Sequence, residues 1–373
     1  MNNRLLAMKT KFSTVCLIAL CSLSAAMNFA FAQGSLTPPG PPGPTMKTLD
    51  QVEPRIPIGT NKTPGDTTAI FKITNSGSYY LTGNVYGQSN KSAIVIAADN
   101  VTIDLCGYTL SGSTTNSLDG IRPAGNRSTI MIKNGHITGW GGKAISSYVY
   151  GFPSDSYLSR CVYQDLVAND NGGGIYAGYS SSIFRCVSRS NKGTGIGLSN
   201  NSGVCKDCVS DSNEGDGIAC YEGATVTHCS AQGNSGIGIY CGNGQHTIIG
   251  CTVRNNSGGG IQANQTLIRD CAIDGNTGYG VRIAFGCMIE GCNIGDTSGS
   301  GIAGVNIGGS GKSRISGNNI HNNTVGISLS NNPGNCIYGN TLRNTTNLDL
   351  GSGNSAPTSS DPATAGPWHN IVL

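Results

Sequence analysis

The sequence repeats itself every 20 to 26 residues between about Cys161 and Asn340, and this repeat limits the folds open to the chain. Most units carry a Cys at the start and a Gly-x-Gly-Ile or close variant further on, as at residues 236–239. The units begin at Cys161, Cys186, Cys208, Cys229, Cys251, Cys271, Cys292, Asn318 and Asn340. Self-similarity at a fixed period of this length is typical of solenoids, arrays and propellers.

Composition and local patterning argue against a helical repeat. The chain has 56 Gly and only 12% charged residues, and it lacks an apolar stripe at helical spacing. Its apolar runs are short and alternate with polar residues, as at residues 100–105, which predicts short strands and tight turns. The consensus of leucine-rich repeats is absent, and a propeller blade needs about 40 residues. We therefore predict an all-β fold, a parallel β-helix solenoid of roughly a dozen coils.

Alignment of the units on the Cys predicts which residues point inward. The residue three positions before the Cys and the residue two positions after it are mostly apolar. Each coil buries these few side chains only by stacking on its neighbours, about 4.8 Å apart. Asn tolerates a left-handed backbone, and stacked amides can hydrogen-bond along the stack. A predicted turn column contains Asn191, Asn213, Asn234, Asn256 and Asn276.

Two segments near the start of the repeat region resemble a known superfamily. Residues 77–84 read Gly-Ser-Tyr-Tyr-Leu-Thr-Gly-Asn, and residues 100–112 begin Asn-Val-Thr-Ile-Asp-Leu. Together with the repeat they resemble secreted bacterial proteins of the pectin lyase-like superfamily, over about residues 70–350. The resemblance implies a right-handed, single-stranded parallel β-helix. That superfamily contains lyases, hydrolases, epimerases and members without known chemistry, so its fold does not assign an activity.

The N-terminus has the pattern of a cleavable secretion signal. Basic residues precede an apolar stretch at 12–27, and small residues around Ala32 suit cleavage before Gln33. This predicts a secreted, periplasmic or cell-surface protein without a membrane span in the mature chain. The predicted divisions are the signal at 1–32, a Pro/Gly-rich lead-in at 33–65, the β-helix at 66–350 and a tail or cap at 351–373.

The charge balance argues against a nucleic-acid partner. Without the three basic residues of the predicted signal, 20 basic and 20 acidic residues remain. Binding to phosphates requires a basic field, which a neutral chain does not provide. The sequence carries no signal for an oligomeric state.

The chain has 15 Cys, and Cys16 and Cys21 fall within the predicted signal. An exported protein would normally form disulfides, but seven of the Cys occupy one inward column. Their Cβ atoms would be about 4.8 Å apart, whereas a relaxed bridge needs about 3.8 Å. We predict mostly buried free thiols that pack as small apolar residues. We expect no metal site, because Cys-x-x-Cys pairs are absent apart from Cys205 and Cys208, which lack a partner His.

Outward positions that follow the Gly-Ile mark place aromatic and amide side chains on one sheet. Exposed Tyr rings with neighbouring amides suit the faces and hydroxyls of sugars. The alternative is that Tyr occurs there because it favours strands. The predicted substrate-binding residues are Tyr148, Tyr176, Tyr221, Tyr240, Gln262, Asn264 and Arg282.

Catalytic residues do not emerge from the pattern. The predicted face holds Arg122 and Arg282 but no acid, and acids such as Asp216 are expected mostly at other edges. Glycoside hydrolysis needs a pair of carboxylates, and a calcium site needs converging oxygen ligands. The superfamily resemblance implies calcium as the cofactor if the chain is a lyase, and no cofactor otherwise.

Three functional hypotheses remain open. The first is a polysaccharide-binding or surface-associated β-helix without clear catalytic residues. The second is a carbohydrate-active enzyme, either a polysaccharide lyase or a glycoside hydrolase. The third is a structural spacer, suggested by a regular solenoid behind a Pro-rich lead-in. A role in metal handling is the least favoured.

Overall fold

The computed structural model describes residues 53–113, 118–149, 156–199, 202–299, 303–309, 311–329, 333–352 and 354–373. The predicted signal, its cleavage position and most of the predicted lead-in lie outside these residues. The unit Glu53–Leu373 contains all the strands described below. Its described secondary structure is entirely β, and it offers no helix of the length and apolarity that a lipid bilayer demands.

Successive coils contribute strands to three parallel sheets, and the strands are numbered β1 to β41 along the chain. Sheet 1 has thirteen strands. They are β2 (Ala69–Ile73), β5 (Ser92–Ile96), β8 (Ile121–Pro123), β11 (Lys143–Ile145), β15 (Gly173–Ala177), β18 (Ile196–Leu198), β21 (Ile218–Cys220), β24 (Ile237–Cys241), β27 (Gly259–Ala263), β30 (Val281–Ile283), β33 (Ala303–Ile307), β36 (Val325–Leu329) and β39 (Thr346–Asp349).

Sheets 2 and 3 are joined into one 25-stranded sheet, because β10 and β14 run through the corner between them. Sheet 2 contains β1 (Ile56–Pro57), β3 (Gly77–Tyr80), β6 (Val101–Asp104), β10 (Ile130–Thr138), β14 (Val162–Asn169), β16 (Ser182–Phe184), β19 (Val204–Lys206), β22 (Thr225–Thr227), β25 (His246–Ile249), β28 (Thr266–Arg269), β31 (Met288–Glu290), β34 (Arg314–Ser316) and β37 (Cys336–Tyr338). Sheet 3 continues with β4 (Val85–Tyr86), β7 (Thr109–Ser111), β17 (Val187–Arg189), β20 (Val209–Asp211), β23 (Ser230–Gln232), β26 (Thr252–Arg254), β29 (Ala272–Asp274), β32 (Asn293–Gly295), β35 (Asn319–His321), β38 (Thr341–Arg343), β40 (Thr358–Ser359) and β41 (Asn370–Val372).

Three further short strands lie outside this pattern. They are β9 (Arg127–Ser128), β12 (Tyr148–Val149) and β13 (Ser156–Ser159), and β12 pairs with β13 in antiparallel fashion. At the other end of the chain, β41 of the predicted tail pairs with β38, and the ring of Trp368 lies 5.1 Å from that of Tyr338.

Equivalent residues of successive coils pair in register, which confirms the predicted all-β solenoid of roughly a dozen coils. In sheet 2, Ile183 pairs with Cys205, Cys205 with Val226 and Val226 with Ile248. All four side chains are fully buried. The core is therefore a set of apolar columns, in which each side chain packs on its equivalent in the coils before and after.

A ladder of buried Asn side chains runs along one corner of the coils. The backbone and side-chain N–H groups of Asn213 both donate to Oδ1 of Asn234, at 3.0 and 2.9 Å. Asn234 donates in the same way to Asn256, and its amide also donates to the carbonyl oxygen of Ser210. These bonds satisfy polar groups that would be costly to bury unpaired. The predicted amide ladder is confirmed.

The backbone of this corner differs from the prediction. The left-handed residues are those immediately before the Asn, such as Ser190 and Ser212 with φ of 51° and 55°, and the ladder Asn residues themselves are not left-handed. The chain bends one residue earlier, so the Asn side chain points inward and reaches its neighbours along the stack. The expectation that the Asn residues supply the left-handed bend was wrong.

All thirteen described Cys are free thiols, and eleven of them are buried. Seven form the predicted column at a corner, where each sulfur lies near a carbonyl oxygen two residues earlier, as Cys186 Sγ does at 3.3 Å from Phe184 O. The column continues with Asn318 and Asn340, and the N–H of Cys292 donates to Oδ1 of Asn318. Thiol and amide are therefore interchangeable at this corner, because both accept a hydrogen bond from the preceding coil.

We predict that Asn234→Ala lowers the free energy of unfolding by about 3 kcal/mol, because it removes the acceptor of the buried Asn213 N–H and the side-chain donor to Asn256 and Ser210. Urea denaturation followed by circular dichroism measures the change. Gln232→Ala is the matched control, since Gln232 is exposed at the end of β23, two residues before Asn234 in the same coil. Equal midpoints for the two variants would contradict the role assigned to the ladder.

We also predict a two-step thiol titration in a full chain that carries Cys16→Ser and Cys21→Ser. The exposed thiols of Cys106 and Cys336 should react with a thiol reagent in the native state, and the eleven buried thiols only after unfolding. Counting reacted thiols with and without denaturant tests this. A count near zero in denaturant would show that the column is oxidised.

Candidate functional site

The outer face of sheet 1 presents two columns of side chains, one on each side of a buried Ile or Val. The first column follows the buried residue and is paired in register by the strands. It contains Tyr176, Gly197, Ala219, Tyr240, Gln262, Arg282 and Asn306. The second column lies two residues before the buried residue and contains Lys143, Gly173, Thr194, Asp216, Ile237, Gly259, Tyr279 and Ala303.

The structure brings together six of the seven residues predicted to bind substrate. Tyr176, Tyr240, Gln262 and Arg282 lie in the first column. Tyr221 directly follows strand β21, and Asn264 directly follows strand β27. Tyr148 lies elsewhere. It belongs to β12 and pairs with Tyr157 of β13, so its predicted place on sheet 1 was wrong.

One coil also differs from the predicted register. Its sequence contains a Gly-x-Gly-Ile match at residues 299–302, which predicts Val305 on the outer face. In the structure Val305 pairs with Val281 and is fully buried, and Asn306 pairs with Arg282 on the outer face. The mark in this coil is Gly304-Val305, which is equivalent to Gly280-Val281 of the coil before, because Val305 pairs in register with Val281.

Three tyrosines and a lysine form the tyrosine patch, defined by Tyr176, Tyr221, Tyr240 and Lys143. The rings of Tyr221 and Tyr240 meet edge to face with centroids 6.4 Å apart, and Lys143 Nζ lies 4.8 Å from the ring centroid of Tyr176. Tyr176 lies against Gly197, where a Cβ atom would come within 2.7 Å of its ring. Burial raises the pKa of Tyr176 and of Tyr221, so both phenols remain protonated hydrogen-bond donors at neutral pH.

Next to the tyrosine patch is a cavity of about 210 Å³, called here the Arg282 pocket. It is lined by Gln262, Asn264, Arg282, Ile283, Ala284 and Gly308. Tyr279 borders it, because its hydroxyl donates to Gln262 Oε1 at 2.8 Å and the Arg282 guanidinium lies 6.0 Å from its ring. Arg282 is exposed, and among the described ion pairs none involves it.

Sequence reasoning missed the second outward column, and with it Tyr279 and Asp216. Asp216 Oδ1 accepts a hydrogen bond from the N–H of Ile237 at 2.8 Å, which holds the carboxylate at the edge of sheet 1. Its charge adds to the burial that raises the pKa of Tyr221 and Tyr279. Strict alternation would not have found these residues, because it turns the position two before an inward residue inward as well. They face out because the intervening Gly217 and Gly280 face the core, where an added Cβ would meet Ala231 and Ile294.

Asp119 occupies the position equivalent to Asp216, four strands earlier in sheet 1. Its Oδ1 accepts from the N–H of Lys143 at 2.7 Å, and burial raises its pKa. Four strand steps separate the two carboxylates by about 19 Å. Paired carboxylates of a glycoside hydrolase lie about 5–9.5 Å apart, so Asp119 and Asp216 do not form such a pair.

The outer face therefore offers stacking surface, amide donors and acceptors, and one cation that no described carboxylate neutralises. Aromatic rings bind the apolar faces of sugar rings, and amides bind hydroxyls. A guanidinium binds a carboxylate through two parallel hydrogen bonds. These groups have the chemistry to bind a polar, carboxylate-bearing chain molecule.

We predict that Tyr279 ionises about two pH units above a free phenol, because burial raises its pKa to about 12. The difference in ultraviolet absorbance between the parent and Tyr279→Phe, followed as the pH rises, should show this ionisation. The folded-state pKa exceeds the unfolded one, so the stability of the parent should fall more steeply than that of Tyr279→Phe between pH 10 and 12. Arg282→Gln should raise the pKa further, since the guanidinium opposes the shift. A midpoint near 10 would contradict the packing of this ring.

Comparison with known proteins supports the fold. The family model described as "Periplasmic copper-binding protein (NosD)" matches residues 224–364, which is less than half of the chain. No relative among curated protein sequences matches. The A-module of the mannuronan C-5 epimerase AlgE4 of Azotobacter vinelandii has a similar structure, with a TM-score of 0.62 and 16% identity over 76% of this chain and 90% of that chain.

The A-module of the mannuronan C-5 epimerase AlgE6 of the same organism is also similar, with a TM-score of 0.53. Its identity is 14%, over 86% of this chain and 88% of that chain. Identities this low establish the architecture and nothing finer. The chain has a right-handed parallel β-helix fold, as the repeat and the opening coils predicted.

Proposed function

We propose that the chain is exported and binds an acidic polysaccharide along the outer face of sheet 1. The observation that carries the proposal is the continuity of the tyrosine patch with the Arg282 pocket on one face. From Tyr176 to Arg282 the column advances by five strand steps, about 24 Å. A surface of this length suits an extended chain that contacts several coils at once.

The charge distribution favours a carboxylated polysaccharide over a neutral one. Arg282 has no ion-pair partner among the described residues. Lys143 lies over the Tyr176 ring, and its charge also acts on the nearby Asp119 carboxylate. A carboxylate bound to Arg282 would also accept from the amides of Gln262 and Asn264, which line the same cavity. Both structural neighbours are named as epimerases of mannuronan, a polysaccharide, which is consistent with this ligand class.

The proposal predicts that two kinds of substitution weaken binding differently. Tyr221→Ala removes stacking surface and should weaken binding of a polyuronate about 5- to 30-fold. Arg282→Gln removes charge-assisted hydrogen bonds and should weaken it about 10-fold or more. It should also reduce the sensitivity of binding to salt, whereas Tyr221→Ala should not. Isothermal titration calorimetry at two salt concentrations measures all three effects.

Tyr86→Ala and Arg254→Gln are the matched controls. Tyr86 is 72% exposed on β4 of sheet 3, and Arg254 is exposed on β26 of sheet 3, so neither lies on the outer face of sheet 1. Failure of the parent to bind any acidic or neutral polysaccharide would remove the proposal and favour a structural spacer. Release of unsaturated products or reducing ends during the incubation would replace it with the enzyme hypothesis.

Copper binding is a second candidate function, because the family that matches residues 224–364 is described as copper-binding. One observation of this structure fits it. The sulfur atoms of Cys205, Cys208 and Cys229 all lie within 4.8 Å of one another, and thiolates are soft ligands that suit copper in its monovalent state. These residues lie in the core, so this candidate is independent of the outer face of sheet 1.

A further inference from the structure

We propose that Cys205, Cys208 and Cys229, called here the Cys205 site, bind one Cu(I) ion in the core of the β-helix. The inference rests on copper binding as a candidate function and gives it a location. It revises the expectation from the sequence that the column of cysteines serves packing alone.

The geometry of the three sulfurs is close to that of a coordinated ion. The Sγ atoms of Cys205 and Cys229 are 3.7 Å apart, and all three pairs are within 4.8 Å. With metal–sulfur bonds of about 2.3 Å, three ligands in a plane would place their sulfurs about 4.0 Å apart. The side chains would therefore move by only a few tenths of an ångström to close around an ion.

The site exists because Cys205 interrupts an apolar column. The residues paired with it in the coils before and after are Ile183 and Val226, and the column continues with Ile248. Cys208 and Cys229 belong to the neighbouring corner column, in which each sulfur stacks on another. In β19 the sulfur of Cys205 takes the place of an apolar side chain. Three described sulfurs converge at this coil alone.

The ligand set selects a soft ion of low coordination number. Thiolates favour Cu(I) and Zn(II) among the common metals, but Zn(II) in closed sites takes four ligands. Among the described residues, no His, Asp, Glu or further Cys lies within 4.8 Å of all three sulfurs, although the thiols of Cys186 and Cys251 each contact one of them. The ion binds as Cu(I) without any electron transfer, and each thiol that becomes a ligand releases its proton, so binding weakens as the pH falls.

The position of the site determines when the ion can enter. The three side chains are no more than 2% exposed, so the ion enters while the coils close and is held once they have stacked. The N–H of Cys186 lies 3.4 Å from Cys208 Sγ and donates to it, which supplies one hydrogen bond to a thiolate in an apolar environment. Copper bound in this way stabilises the folded chain by mass action.

The experiment uses the full chain with Cys16, Cys21, Cys106 and Cys336 replaced by Ser, which removes the thiols outside the described core. This chain is refolded anaerobically with Cu(I) buffered by a chromophoric chelator. We expect one Cu(I) per chain, sulfur-only coordination in X-ray absorption spectra, and an unfolding midpoint that rises with the free Cu(I) concentration.

Cys205→Val is the decisive variant, because it restores the residue type found at this position in the next coil and should fold normally. We expect its affinity for Cu(I) to fall at least 10-fold, since even residues that only support a metal ligand contribute that much. Cys292→Ser is the matched control. It removes a thiol from the same corner column next to a coil that carries Asn318 there, and it should bind Cu(I) like the parent.

The outcomes separate the function from the site. No Cu(I) bound by the parent chain would overturn both copper binding and the Cys205 site. Unchanged affinity in Cys205→Val would leave copper binding in place and overturn the site. Equal losses in Cys205→Val and Cys292→Ser would assign the ion to the column as a whole. Tighter binding of Zn(II) than of Cu(I) by the parent would overturn the choice of ion.

Discussion

In-register stacking of the coils is the constraint on which the rest of this structure depends. A single coil has only a few apolar side chains, and it buries them only when equivalent residues of the next coil cover them. The columns of Ile, Cys and Asn are the result. The Asn ladder adds direction to this stacking, because each amide must meet the next one at hydrogen-bonding distance. A slip by one residue would expose the apolar columns and break the ladder together.

The same register builds the candidate site. Residues such as Tyr240, Gln262 and Arg282 are about 20 residues apart in sequence, yet the in-register pairing of sheet 1 places them in adjacent strands. The outward residues that form a binding surface can therefore differ from coil to coil, while the inward residues keep the coils stacked. The Arg282 pocket and the Cys205 site show the two ways in which a single coil can depart from the repeat. The Arg282 pocket differs from the repeat on the outer face, where it adds a charged side chain and amides. The Cys205 site differs in the core, where a sulfur replaces an apolar side chain.

Departures from the predicted register have local physical causes. Tyr148 follows a Gly-Ile-like mark, but the chain leaves the coil there and pairs with β13 in antiparallel fashion. Tyr148 pairs with Tyr157, nine residues further on, and the repeat does not encode this pairing. In the coil of Val305, the sequence contains a Gly-x-Gly-Ile match at residues 299–302, three residues before the buried Val305. Alignment on this match moves the outward residues by three. Asp216 was missed for another reason. It lies two positions before the buried Ile218, which strict alternation would turn inward, but the intervening Gly217 takes the inward position instead.

The sequence by itself determined the architecture, the inward columns, the amide ladder and six residues of the outer face, because a solenoid repeats one local pattern and each repeat reports on all the others. Only the tertiary structure decided which non-equivalent residues meet. Tyr279 bonds to Gln262 in the preceding coil, Lys143 lies over Tyr176, and Cys205 approaches the sulfur of Cys229. Such contacts depend on side-chain reach between coils, and a pattern aligned within each coil contains no information on that distance.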